Sequence, residues 1–220
     1  MIDGLENALQ TLVLLVCAAC SVSRAIRWHS RTWTLLAFFF GSWGLGGLYW
    51  TFCLVFYNAV PQLSVVSDLS WYASYIFLYM LLRQVAPPEG AREKRLLPWL
   101  GFVFTLGMGI WFCSFYVQWN AEEGYHFILW DKVLSNLIYA VLMGLLLFSA
   151  LRRLLDRASY PAQKPFCYAV LAFCLLEYAL WTCSCFWFDA SLKNPYYWVD
   201  ILLTASFLLF LPTTRKAVEP

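Results

Sequence analysis

Seven stretches of this chain are apolar for long enough to cross a lipid bilayer. They run over 8–26, 33–57, 63–82, 98–118, 133–151, 165–188 and 196–212. A helix crossing the hydrocarbon core needs about 20 mostly apolar residues. No water reaches backbone groups there, so each stretch is expected to be a helix that satisfies its own hydrogen bonds. Runs such as Leu36-Ala37-Phe38-Phe39-Phe40 do not alternate as barrel strands would. Composition agrees: 62% of residues are hydrophobic, 13% charged, and mean hydropathy is +0.64. A soluble domain carries about 25% charge. The expected class is all-α: a polytopic membrane protein whose residues 1–220 form a single seven-helix transmembrane domain. The 12 Trp and 13 Tyr suit the bilayer interface, where one end of the ring is wet.

Charge sorts along the chain. Arg24, Arg27 and Arg31 lie at the first connection, and Arg83, Arg92, Lys94 and Arg95 at the third. Arg152, Arg153, Arg157 and Lys164 lie at the fifth, and Arg215 and Lys216 follow the last span. Thus 13 of the 15 basic residues fall on one side of a seven-span chain, leaving only Lys132 and Lys193 opposite. Short basic loops stay in the cytoplasm. The expected topology is N-terminus outside and C-terminus inside, in what reads as a bacterial cytoplasmic membrane. The acidic start, Met1 to Glu6, is unlike a cleavable signal peptide, so the first span is expected to remain. Loop 85–97, with Pro87-Pro88, reads as a flexible connector. The apolar Phe127 to Trp130 stretch of the outer loop 119–131 is expected to fold back onto the membrane surface. No soluble domain is expected at either end.

An internal repeat is visible. Trp50-Thr51 matches Trp181-Thr182, and Asp68, Ala73-Ser74-Tyr75 and Arg83 match Asp200, Ala205-Ser206-Phe207 and Arg215 in one register. The first and fifth spans agree more weakly, Ser23 to Arg27 with Ser149 to Arg153. With the fourth span between two triplets, both triplets cross in the same sense, a parallel 3+1+3 repeat. This layout resembles the SWEET and PQ-loop family of seven-helix transporters. The resemblance is one of architecture over the whole chain, and it implies a carrier. The Asp68-Leu69-Ser70-Trp71 start of the third span also resembles seven-helix sensory modules of bacterial signalling proteins, here read without an output domain. That resemblance implies a receptor.

Ionisable residues at membrane depth are costly, by roughly 2.5–3.5 kcal/mol at a helix centre on insertion scales. Glu177 is such a residue, mid-way along the sixth span, and its repeat partner is Gly46. It reads either as a carboxylate for a ligand, cation or proton, or as a packing group bonded to a neighbour. Asp68 and Asp200 lie in the first turns of their spans, where a carboxylate is equally at home as a cap. Ser64, Asp68, Trp71, Tyr75 and Tyr79 share one face of the third helix, and Cys174, Glu177, Trp181 and Ser184 one face of the sixth. Ser135, Asn136 and Tyr139 add polar groups on the fifth. The candidate ligand-binding residues are Glu177, Trp181, Asp68, Trp71, Tyr75, Asn136, Trp50 and Asp200. The Gly41 to Gly47 segment reads as a place of close helix approach.

The 8 Cys all lie within apolar segments and read as packing residues. Cys17-x-x-Cys20 has no basic neighbour to activate a thiol. His29 and His126 stand apart, and no cluster has metal-ligand spacing. No cofactor, metal or nucleic-acid partner is expected, and no hydrolase motif marks an enzyme. The remaining classes are a small-molecule transporter or carrier first, then a non-catalytic receptor or signalling subunit, then an accessory protein. Their partners would be the bilayer, an unidentified small molecule, and either a second copy of the chain or a cytoplasmic protein. The topology has a direct check. In a Cys-less background, Asn120→Cys reacts with an impermeant thiol reagent added outside and Glu89→Cys does not; the reverse pattern contradicts the assignment.

Overall fold

The computed structural model describes residues 2–59, 61, 65–86, 96–123, 129–156, 161–187 and 191–218, the side chains of 2, 3 and 115–132 excepted. The described residues form seven α-helices: α1 (Ile2–Trp28), α2 (Arg31–Phe52), α3 (Val65–Val85), α4 (Leu96–Glu123), α5 (Leu129–Leu155), α6 (Lys164–Phe186) and α7 (Pro195–Val218). All seven are long and apolar enough to cross a membrane. Among the described residues there is no strand. Several helices outrun their apolar stretches, as α4 does by reaching Glu123. Backbone hydrogen bonding does not stop where the hydrocarbon does. Leu129 and Trp130 begin α5, while Phe127, Ile128 and the Pro87-Pro88 connector lie outside the described residues.

Local chemistry sets the helix ends. His29 follows α1 with φ of 46°, and Asn58 closes the π-helical turn Cys53–Tyr57 that extends α2, with φ of 50°. A left-handed residue turns the chain out of a helix, and Asn tolerates that conformation better than most side chains. Pro165 opens α6 and Pro195 opens α7, where a missing N–H costs nothing.

The neighbours close into a ring. α1 packs on α2, α2 on α3, α3 on α5, α5 on α6, α6 on α7, and α7 returns to α1. α4 packs chiefly on α5. The outward faces carry Leu12, Phe38, Leu45, Val103, Ile110, Tyr168 and Leu208, all exposed. Such a belt would aggregate in water but suits lipid. Inside, Phe39 and Phe40 of α2, Phe173 of α6, and Phe207 and Phe210 of α7 are fully buried. Phe39 lies 6.0 Å from Phe173, 5.9 Å from Phe207 and 5.2 Å from Phe210, ring centre to ring centre. Aromatic pairs of this kind add about 0.5–1.5 kcal/mol each beyond their buried area. They lock α2, α6 and α7 together.

Glycines set how closely some helices approach. A Cβ on Gly47 would meet the Thr11 hydroxyl at 2.7 Å, and one on Gly46 the Trp71 indole nitrogen at 2.7 Å. The Gly-rich part of α2 thus admits α1 and α3, as small residues do at membrane helix interfaces. On the other side of the bundle, a Cβ on Gly109 of α4 would lie 2.5 Å from that of Ala140, whereas one on Gly41 would meet nothing within 4 Å. Gly109→Ala should therefore cost about 1–3 kcal/mol. Gly41→Ala should be neutral or gain up to about 1 kcal/mol of helix propensity. Thermal unfolding of the two variants in detergent checks the contrast; equal midpoints contradict the close α4–α5 approach.

Candidate functional site

The carboxyl groups Asp68, Glu177 and Asp200 and the amides Asn7, Gln10 and Asn136 turn inward, and they meet in one place. A cavity of about 260 Å³ lies within the ring. Asp68, Trp71 and Tyr75 reach it from α3, Trp50 from α2, and Asn136 from α5. Glu177 and Trp181 reach it from α6 and Asp200 from α7. All the residues singled out as ligand-binding candidates thus line the same space.

The lining comes from the starts of α1, α3, α5 and α7 and from the ends of α2 and α6. These meet at the end of the bundle that carries the first residues of α1. At about 1.5 Å per residue, Asp68 sits roughly 5 Å below its helix end, Asp200 roughly 8 Å and Glu177 about 14 Å. Deeper still the cavity is blind. Trp43 lies 5.3 Å from Phe173 and 5.2 Å from Phe207, so the buried phenylalanines form its floor. A separate, smaller cavity of about 100 Å³ is lined by Phe112, Asn136, Trp181, Ser184 and Cys185.

Each carboxylate is held from another helix. The Tyr75 hydroxyl donates to Glu177 Oε2 at 3.1 Å, from α3 to α6. The Tyr139 hydroxyl donates to Asp68 Oδ1 at 3.2 Å, from α5 to α3. The Gln10 amide donates to Asp200 Oδ1 at 2.8 Å and to the Thr204 hydroxyl at 3.2 Å, from α1 to α7. The aspartates therefore tie helices together, whatever capping they also provide. Glu177 and Asp200 are both only 4% exposed. Oε1 of Glu177 and Nδ2 of Asn136 are buried without a hydrogen-bond partner. Buried polar atoms are nearly always satisfied, so orphans that line a cavity point to a bound group.

The wall is a continuous arc of rings. Trp50 lies 5.7 Å from Trp71, Trp71 6.4 Å from Trp43, and Trp43 5.4 Å from Tyr75. Tyr75 lies 5.7 Å from Tyr139, and Tyr139 5.0 Å from Trp181. The Trp71 indole nitrogen lies against Gly46 of α2 and is buried without a hydrogen-bond partner.

The structure also divides the expected stripes. Tyr79 does not line the cavity; it accepts a hydrogen bond from Arg83 at 3.4 Å, nearer the basic end. Cys174 is fully buried and absent from the lining. Ser64 lies outside the described residues. Reading by depth missed Trp43, Asn7, Gln10 and Tyr196, all of which line the cavity. Asn7 and Gln10 stand at i and i+3 of α1, a spacing that marks one inward face. Trp43 sits among glycines, where attention to close packing hides it. All eight cysteines are free thiols, and among the described residues no three His, Cys, Asp or Glu side chains group as metal ligands would.

Fold and cavity together define a multi-pass helical membrane protein with a ligand-sized, carboxylate-lined cavity inside its bundle. No family model matches the chain, no curated protein is similar to it, and no solved structure matches it. The geometry of the cavity has its own check. In a Cys-less background, Ser184→Cys at the exposed rim reacts with a small hydrophilic thiol reagent, whereas Cys174 restored alone does not. Equal reactivity would contradict the blind floor.

Proposed function

We propose that the protein is a small-molecule-binding carrier of the bacterial cytoplasmic membrane, with its N-terminus outside, its C-terminus in the cytoplasm and its site in the central cavity. The observation that carries this reading is the origin of the lining. The side chains come from α1, α2, α3, α5, α6 and α7 and none comes from α4. A 3+1+3 carrier needs its site between the two triplets, with the linking helix outside.

The parallel repeat has further support in the contacts. A rotation that maps α1, α2 and α3 onto α5, α6 and α7 maps the α3–α5 contact onto the α7–α1 contact, and both pairs pack together. Asp68 of α3 is bonded from α5, and Asp200 of α7 from α1. In the register that aligns Ser23 with Ser149, Gln10 falls opposite Asn136, and both amides line the cavity. Ser74 donates to the Trp71 carbonyl at 2.8 Å and its counterpart Ser206 to the Leu203 carbonyl at 2.7 Å. Basic groups gather at the opposite end from the cavity mouth, where Arg24 lies 4.5 Å over the Trp33 ring, which supports a mouth facing outward.

A second reading is a receptor that binds the same ligand and reports to a cytoplasmic partner. The closed aromatic floor favours it, because α2, α6 and α7 must part for anything to pass. Flux separates the two. Protein in liposomes should take up one or more of a panel of small organic solutes, and Glu177→Gln should bring uptake to background while the protein still inserts and folds. Binding without flux selects the receptor. Full uptake in Glu177→Gln removes Glu177 from the mechanism.

A further inference from the structure

We infer that the cavity selects organic cations, and specifically protonated amines attached to an apolar or aromatic body of modest size. The inference deepens the proposed function and rests on its premise that the cavity binds a small molecule.

The carboxyl groups of the lining have no basic counterpart. Asp68, Glu177 and Asp200 face the space and no Lys, Arg or His does. Anions would meet carboxylates with no basic counterpart, at a depth where water screens little. Neutral polar solutes gain nothing from the charge these carboxyl groups can carry.

The spacing then separates an organic cation from a metal ion. A small desolvated metal needs several ligands converging within its coordination shell. Here the carboxylates sit at different depths, each held by a different helix, and among the described residues no trio groups tightly enough to ligate one ion. An extended cation suits that spread.

The walls supply the second half of recognition. The arc from Trp50 through Trp71, Trp43, Tyr75 and Tyr139 to Trp181 places aromatic rings, whose faces are electron-rich, around the carboxylates. Ring faces attract a cation held within about 6 Å, most strongly when water is displaced. Fully hydrated inorganic ions would waste this surface, whereas an ammonium on an apolar body uses both parts of it. Glu177 refines the choice. One of its oxygens accepts from Tyr75 and the other, Oε1, is orphaned in a side chain 4% exposed. An N–H donor completes it, which a quaternary ammonium lacks and a protonated amine provides.

Three probes of nearly equal shape test this: 2-phenylethylamine, neutral 2-phenylethanol and anionic phenylacetate. Each is titrated into the full chain in lipid nanodiscs at pH 7, with tryptophan fluorescence and calorimetry as readouts. The amine should bind at least about tenfold more tightly than the alcohol, and phenylacetate should not bind. Glu177→Gln should weaken the amine about tenfold or more and leave the alcohol within about threefold. Ser114→Ala, on the exposed face of α4 and outside the cavity lining, should retain the amine affinity and show that the fold is intact. If the alcohol or phenylacetate binds as tightly as the amine, the cation inference is overturned and the small-molecule site survives. If none of the three binds while both variants unfold at the wild-type temperature, the inference and the binding reading fall together.

Discussion

Lipid offers no hydrogen bonds, and the rest of the structure follows from that. Backbone groups must be satisfied along each span, which makes every span a helix. Polar side chains must turn away from the acyl chains, which fixes how each helix is rotated. Glu177, Asp68, Asp200, Gln10 and Asn136 lie on different helices, yet one rule brings them to one place. The same rule puts Leu45, Val103 and Leu208 on the outside, the reverse of a soluble core.

Turning polar groups inward does not by itself make a cavity; they could have bonded to one another and closed the gap. The upper and lower halves of the bundle differ in this respect. Below, Phe39, Phe173, Phe207 and Phe210 fill the interior, as dispersion forces favour between helices in lipid. Above, the side chains are as large but polar-tipped. Tyr75, Tyr139 and Gln10 each bridge to a carboxylate on another helix and so brace the walls apart. Bridges of this kind in membrane proteins average about 0.6 kcal/mol, so they fix orientation more than they add stability. The orphaned Glu177 oxygen and Asn136 amide nitrogen are bonds the brace leaves open.

Much of this was legible in the sequence, because the bilayer is so restrictive a solvent. Seven helices could be placed from apolar length, with errors only at the ends, as where α4 continues to Glu123. The site candidates were legible for a related reason: polar residues at depth have few places to go. What the sequence hid was rotation and depth. Tyr79 shares a helical face with Tyr75, but one turn further down it meets Arg83 and leaves the cavity behind. Trp43 shows no polarity of its own, so nothing marked it as both the floor of the cavity and the link between Trp71 and Tyr75. The pairing of α1 with α7 that holds Asp200 joins residues 190 apart in sequence, and no local pattern reports it.

The central claim is that water or a ligand fills the upper half of the ring while the lower half is dry. Hydroxyl-radical footprinting of the protein in nanodiscs, read by mass spectrometry, tests it residue by residue. Trp50, Trp181 and Tyr196 should be oxidised rapidly, and Phe39, Phe173 and Phe207 should not. Equal protection of both sets would mean that the bundle is packed shut and holds no site.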